Sequence, residues 1–156
     1  PVCKNTFVST RSSKKYCSHK CYRARMSSNW NNRNRQRGTC YDCRRPPISG
    51  TVSRCEQHWL TQLAWRSGVR TKRAWATLKA KFIGQGGRCA YTSRRLTFGK
   101  NASVDHIKPR SLFPHLIGKP SNLEWVDAEV NRAKRALSRS KFIRLCCEVI
   151  RHAKRP

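Results

Sequence analysis

The sequence predicts a small α+β protein, with zinc-stapled finger modules and connecting helices in front and a strand, loop, strand, helix unit behind. Three observations predict it. Cysteines and a histidine recur at metal-ligand spacings before residue 59. Apolar residues then fall at helical spacing as far as Phe82. After Cys89 the texture changes to short β-type runs separated by Gly and Pro turns, and ends in further helical patterning.

Residues 1–21 hold Cys3, Cys17 and Cys21 with only Phe7 and Tyr16 as large apolar groups, too few to fold without a staple. Residues 22–38 are rich in Arg and Asn and lack apolar periodicity, which predicts a basic linker or arm that is disordered alone and tracks a groove on DNA. Residues 39–66 form a second zinc module running into a helix from Glu56 to about Arg66. Residues 67–156 form the last domain. It opens with a helix capped near Thr71, whose Trp75, Leu78 and Phe82 share a face and which the Gly84, Gly86 and Gly87 cluster stops. Strand-like runs follow over 90–96, 102–107 and 121–126, with Pro109, Pro114, Gly118 and Pro120 in the intervening loop. A helix over about 127–137 comes next, then one over about 140–152 expected to bury Phe142, Leu145, Cys146 and Val149. Cys89, Cys146 and Cys147 have no partners at ligand spacing and are expected to be buried thiols.

Cys40-x2-Cys43-x11-Cys55-x2-His58 offers four soft or borderline ligands in two close pairs, the arrangement that closes a tetrahedral zinc site. Each two-residue gap lets a tight turn or a first helical turn aim both side chains at one ion. The first module is one ligand short of a second structural zinc site. A cysteine directly before Pro1 would complete it as a Cys-Pro-Val-Cys pair; His19 competes for the place but would need a contorted turn between Cys17 and Cys21. Nine cysteines in a basic chain expected to be intracellular, cytoplasmic or nucleoid-associated, fit metal and buried thiols better than disulfides.

The balance of 35 basic against 7 acidic residues gives a net charge of +28. Such a chain repels itself unless a polyanion neutralises it, so nucleic acid is the expected partner, held through salt-sensitive phosphate contacts. No apolar run approaches a membrane span, and no basic helix backed by a large apolar face stands out, so no membrane role is expected.

In a chain this cationic the carboxylate of Asp105, directly before His106 at the end of a strand-like run, invites a chemical explanation. Phosphodiester cleavage needs a base for water and a cation for the charge that develops on phosphate. A neutral imidazole supplies the first, and hard oxygen ligands holding magnesium or a similar ion supply the second. The stretches Gln85-Gly86-Gly87-Arg88-Cys89-Ala90-Tyr91-Thr92, Val104-Asp105-His106-Ile107-Lys108-Pro109-Arg110-Ser111, Ser121-Asn122-Leu123-Glu124-Trp125-Val126 and Val130-Asn131-Arg132-Ala133-Lys134 resemble the HNH nuclease family, especially its phage and intron-encoded homing-endonuclease-like members. The resemblance covers about residues 82–150.

It implies a ββα-metal fold and a DNA endonuclease. His106 would be the general base, Asp105 a ligand of the catalytic divalent ion, Asn122 the residue orienting the imidazole, and Asn131 the second ligand where relatives often carry histidine. Arg33, Arg35 and Arg37 of the arm, with Lys108, Arg110, Arg132 and Lys134, are the expected contacts to double-stranded DNA. Many relatives frame the unit with two Cys-x-x-Cys pairs; here Thr92 follows Cys89 at that spacing, and Asp127 and Val130 stand near the later pair, so the unit is expected to hold without zinc, through Trp125, Val126 and the final helix. Three rivals remain: a zinc-finger binder on a decayed nuclease fold, a nuclease unit within an RNA-containing assembly, and a ribosome-like structural protein. Monomer or dimer is left open.

Overall fold

A computed structural model describes residues 26–30, 32, 33, 36–40, 42–48 and 54–153. The described residues fall into two compact units. One holds those up to Pro47 together with Arg54 and Cys55; the other holds Ile48 and everything from Glu56 onward.

In the first unit, residues 26–30, 32, 33 and 36 have helical backbone, where an irregular arm was expected. Ser and Asn, which dominate here, favour a helix only weakly, and a helix exposed along most of its length needs no apolar stripe for periodicity to reveal. Exposure is what is seen: Met26 and Trp30 are 44% and 37% exposed, and the guanidinium of Arg44 lies 4.8 Å from the Trp30 ring centre. Past this stretch the chain turns tightly, the Cys40 N–H donating to the Arg45 carbonyl at 2.9 Å, and Arg54 pairs with Asp42 at 3.0 Å.

The second unit opens with α1 (Glu56–Arg66) and α2 (Ala74–Gly84), which pack on each other. The expected Thr71 cap is not used: Arg73 stands at the N-cap without a side-chain bond, and Thr71 instead accepts the Ala74 N–H through its carbonyl. The strands are β1 (Ala102–His106) and β2 (Leu123–Asp127), paired antiparallel with Asp105 opposite Glu124 and His106 opposite Leu123. The expected strand over 90–96 is absent. The chain there folds onto itself, Ser93 N–H to Cys89 O and Leu96 N–H to Gly87 O, leaving a single bridge between Arg88 and Arg95. Short 3-10 turns at Pro114–Leu116 and Pro120–Asn122 shape the loop between the strands.

Two helices follow, α3 (Ala128–Lys134) and α4 (Arg139–Ala153). Asp127 caps α3, one carboxylate oxygen accepting the Glu129 N–H at 2.9 Å and the other an N–H of Asn101 at 3.0 Å. This explains why α3 starts at once after β2.

The core forms around Trp125, fully buried among Trp59, Phe82 and Phe98, with its indole N–H donated to the Leu78 carbonyl at 2.9 Å. Gln85 stands in for a neighbouring strand, its amide both accepting from and donating to the Trp125 backbone. Burial of Trp125 and Val126 agrees with expectation; α4 does not. Arg139 ties its first turn down through Glu124 at 3.0 Å, and Phe142 meets Tyr91 edge-on. Beyond that, Ile143, Leu145, Val149 and Ile150 are 45–59% exposed, so the last helix keeps its apolar face in the open. Cys89 is buried as expected, whereas Cys146 is half-buried and Cys147 exposed. Among the described residues no helix is long and apolar enough to cross a membrane.

Candidate functional site

Cys40, Cys43, Cys55 and His58 come together, their ligand atoms all within 4.8 Å of one another. Cys40 and Cys43 lie on the tight turn, and His58 lies in the first turn of α1 directly after Cys55. The Cys43 and Cys55 sulfurs are 3.6 Å apart. Four ligands about 2.3 Å from one ion stand roughly 3.8 Å apart along a tetrahedron's edges, so this donor set fits zinc once the wider pairs close by up to about an ångström. Burial raises the Cys40 thiol pKa, but the N–H groups of Cys55, Asp42 and Cys43 aimed at its sulfur lower it by more, toward the thiolate that a metal requires. Cys3, Cys17 and Cys21, and with them the second zinc site, lie outside the described residues, as does Arg35.

A second constellation sits at the end of β1. A cavity of about 500 Å³ is lined by Asp105, His106, Pro109, Arg110, Ser111, Ile117, Lys134, Arg135 and Ala136. Neighbouring residues of a strand point to opposite faces, yet both acid and imidazole reach this cleft because β1 stops at His106 and the chain turns away. Each is held from its own side. Lys134 of α3 forms an ion pair with Asp105, Nζ to Oδ2 at 2.9 Å, and spends its hydrogen bond on the His106 carbonyl at 3.1 Å. The His106 ring meets the Ser67 carbonyl through Nε2 at 3.3 Å.

That last contact assigns the tautomer. A carbonyl can only accept, so Nε2 carries the hydrogen and Nδ1 keeps its lone pair. Burial lowers the His106 pKa below the ordinary imidazole value. Arg110 and Lys134 push the same way, against the Ser67 carbonyl and Asp105.

The other expected residues take different places. Asn122 is buried and binds the Lys108 backbone twice, accepting its N–H at 2.8 Å and donating to its carbonyl at 3.1 Å; it shapes the loop after β1, and Ser67 is what touches the imidazole. Asn131 donates to the Ser103 hydroxyl at 2.8 Å and the Val104 carbonyl at 3.4 Å, which leaves its side-chain oxygen as the atom able to ligate a cation. Neither asparagine lines the cleft. Arg110 does, its guanidinium anchored on the Arg66 carbonyl at 3.2 Å. Lys108, Arg132, Arg33 and Arg37 are exposed, and Lys134, expected on a basic face, is 1% exposed.

Sequence reasoning missed Ser67, Arg135, Ile117 and the glycine contact behind them. Arg135 ends α3 with φ +49° and ψ −123°, a conformation costing a non-glycine residue about 1–3 kcal/mol, and the bend brings Arg135 and Ala136 to the cleft. The positive φ was not readable from an arginine. Gly118 and Gly68 carried a signal, as glycines beside cleft residues. They meet backbone to backbone with φ +75° and +87°, and a Cβ on Gly118 would run into the Gly68 carbonyl. Gly118→Ala is therefore expected to cost about 1–3 kcal/mol in denaturant unfolding and to loosen the turn presenting Ser67. Unchanged stability would mean the two loops part freely.

For a divalent ion, the cleft offers a carboxylate at its wall and space for water and a phosphodiester beside it. This suits a hard cation that keeps most of its water and binds through one or two carboxylates plus substrate oxygens. No protein-family profile matches the chain, and no curated protein or solved structure is significantly similar to it.

Proposed function

We propose that the chain is an HNH-type endonuclease that hydrolyses phosphodiester bonds in double-stranded DNA, using a divalent cation such as magnesium at Asp105 and structural zinc at the Cys40, Cys43, Cys55 and His58 cluster. The observation that carries this reading is that Asp105 and His106 open onto one cleft ringed by the cations Arg110, Lys134 and Arg135. Two antiparallel strands followed by a helix packed against both supply the frame.

In this reading a phosphodiester enters the cleft against the guanidinium of Arg110. His106, neutral and tethered at Nε2, takes a proton from the attacking water at Nδ1. Arg110 and Arg135 neutralise charge developing on the phosphate. Asp105 would hold the ion from the cleft wall; Asn131, the second ligand that the resemblance implies, would reach it only by turning its side-chain oxygen from its place beside Ser103, and the ion, when bound, would supply Lewis-acid stabilisation of the phosphate and the departing 3′ oxygen. The products would carry 5′-phosphate and 3′-hydroxyl ends.

Purified protein incubated with supercoiled plasmid is expected to produce nicked or linear product with magnesium and none after its removal, and sequencing the break reports the site. Salt-dependent binding to structured RNA run in parallel tests the RNA-assembly alternative, which tighter and steeper RNA binding without DNA cleavage would favour. The acid limb of the rate should be centred below the ordinary imidazole midpoint of about 6.5, because burial lowers the His106 pKa and the base stays unprotonated to lower pH than a free imidazole. An acid limb centred above that value would remove His106 as the base.

A further inference from the structure

We infer that Lys134 is a built-in competitor of the divalent cation, its ammonium holding the Asp105 carboxylate until an ion displaces it. The inference rests on reading the cleft as a cation-dependent centre. Lys134 is 1% exposed and the Asp105 side chain 10%, so each charge needs a partner before any ion arrives. The ammonium supplies one at 2.9 Å from Oδ2, and the His106 carbonyl, 3.1 Å away, keeps the lysine in place when the carboxylate turns to another cation.

A basic residue placed only to touch phosphate would reach into solvent with its charge unspent, as the exposed Arg132 does on the same helix. Lys134 instead lines the cleft beside the carboxylate it neutralises. An ammonium and a divalent ion on one carboxylate repel each other even when they take different oxygens, so the ion binds against the lysine, and the pair loosens as the carboxylate turns from the ammonium to the ion. The released ammonium stays at the cleft wall, within the space a phosphodiester would enter. Lys134 thus sets the concentration at which the centre loads, and couples loading to the arrival of a cation for the phosphate.

The test uses the full-length protein with its cysteine cluster saturated with zinc, and Mn²⁺ as the probe, followed by electron paramagnetic resonance. Lys134→Met and Lys134→Gln remove the charge at similar length, Lys134→Arg keeps it, and thermal melts establish which variants are folded. Both neutral variants are expected to bind Mn²⁺ about tenfold more tightly than wild type, equivalent to about 1.4 kcal/mol, and the arginine variant no more tightly than wild type. Cleavage at saturating magnesium should fall in the neutral variants although the ion binds better. Unchanged or weaker Mn²⁺ affinity in whichever neutral variant folds overturns the inference. Asp105→Asn separates this from failure of the parent reading: if it binds Mn²⁺ as wild type does, the cation is not at Asp105 at all, whereas loss of binding there with no tightening at Lys134 sinks the competitor role alone.

Discussion

His106→Ala is expected to lower the single-turnover cleavage rate by about 10²–10⁴-fold while duplex binding changes by no more than a few-fold. The imidazole is half-buried, is hydrogen-bonded to the Ser67 carbonyl, and contributes no positive charge when neutral, so its removal withdraws a base without withdrawing phosphate contacts. His106→Gln is the sharper control. Its amide can still donate toward Ser67 but has no lone pair of useful basicity, so it should bind DNA normally and remain inactive. Cleavage that persists in a repurified His106→Ala protein would end the assignment of the base, whatever the fate of the rest of the site.

The second large effect concerns zinc. Removing it with a strong chelator, or replacing Cys43 by serine, is expected to unfold the turn at residues 40–45 and uncouple the start of α1. Structural zinc supplies about 10–16 kcal/mol of apparent binding energy in isolated finger peptides, and the first unit has little apolar burial to set against that loss. Among its described residues only Cys40 and Cys55, both ligands, are buried. Zinc released on denaturation, titrated with a colorimetric chelator, should fall by one equivalent per chain in Cys43→Ser. The circular dichroism and amide protection of residues 36–58 should fall with it. A variant that keeps the same zinc content and the same protection would show that the cluster is four side chains close together and nothing more.

Much of the local architecture was legible from residue order. The Cys-x2-Cys and Cys-x2-His gaps brought four ligand atoms within 4.8 Å, since a two-residue gap leaves a turn or a first helical turn few ways to aim its side chains. The helix bounds at Glu56–Arg66 and the strands at Ala102–His106 and Leu123–Asp127 lie close to the pattern, because alternation and 3.6-residue spacing are properties of a few neighbouring residues. Where β-type composition met a chain that folds back on itself, at residues 90–96, propensity lost to loop hydrogen bonds.

The amphipathic pattern of the last helix correctly marked an apolar face but could not say what covers it. Burial is a property of the neighbours: among the described residues Tyr91 meets Phe142, while Ile143, Val149 and Ile150 stand open.

By itself, then, residue order determined the cationic character, the ligand spacing of the zinc-type cluster, the α+β class and the adjacency of Asp105 and His106. Only the tertiary structure decided that a carbonyl 39 residues from His106 tethers the imidazole, that a lysine 29 residues from Asp105 neutralises the carboxylate, and that Asn122 turns to the Lys108 backbone and Asn131 to the Ser103 hydroxyl. The physical reason is one of range. Spacing along the chain controls which side chains share a turn or a face, while contacts between distant segments depend on how those faces pack, and packing is set by the whole core around Trp125 at once.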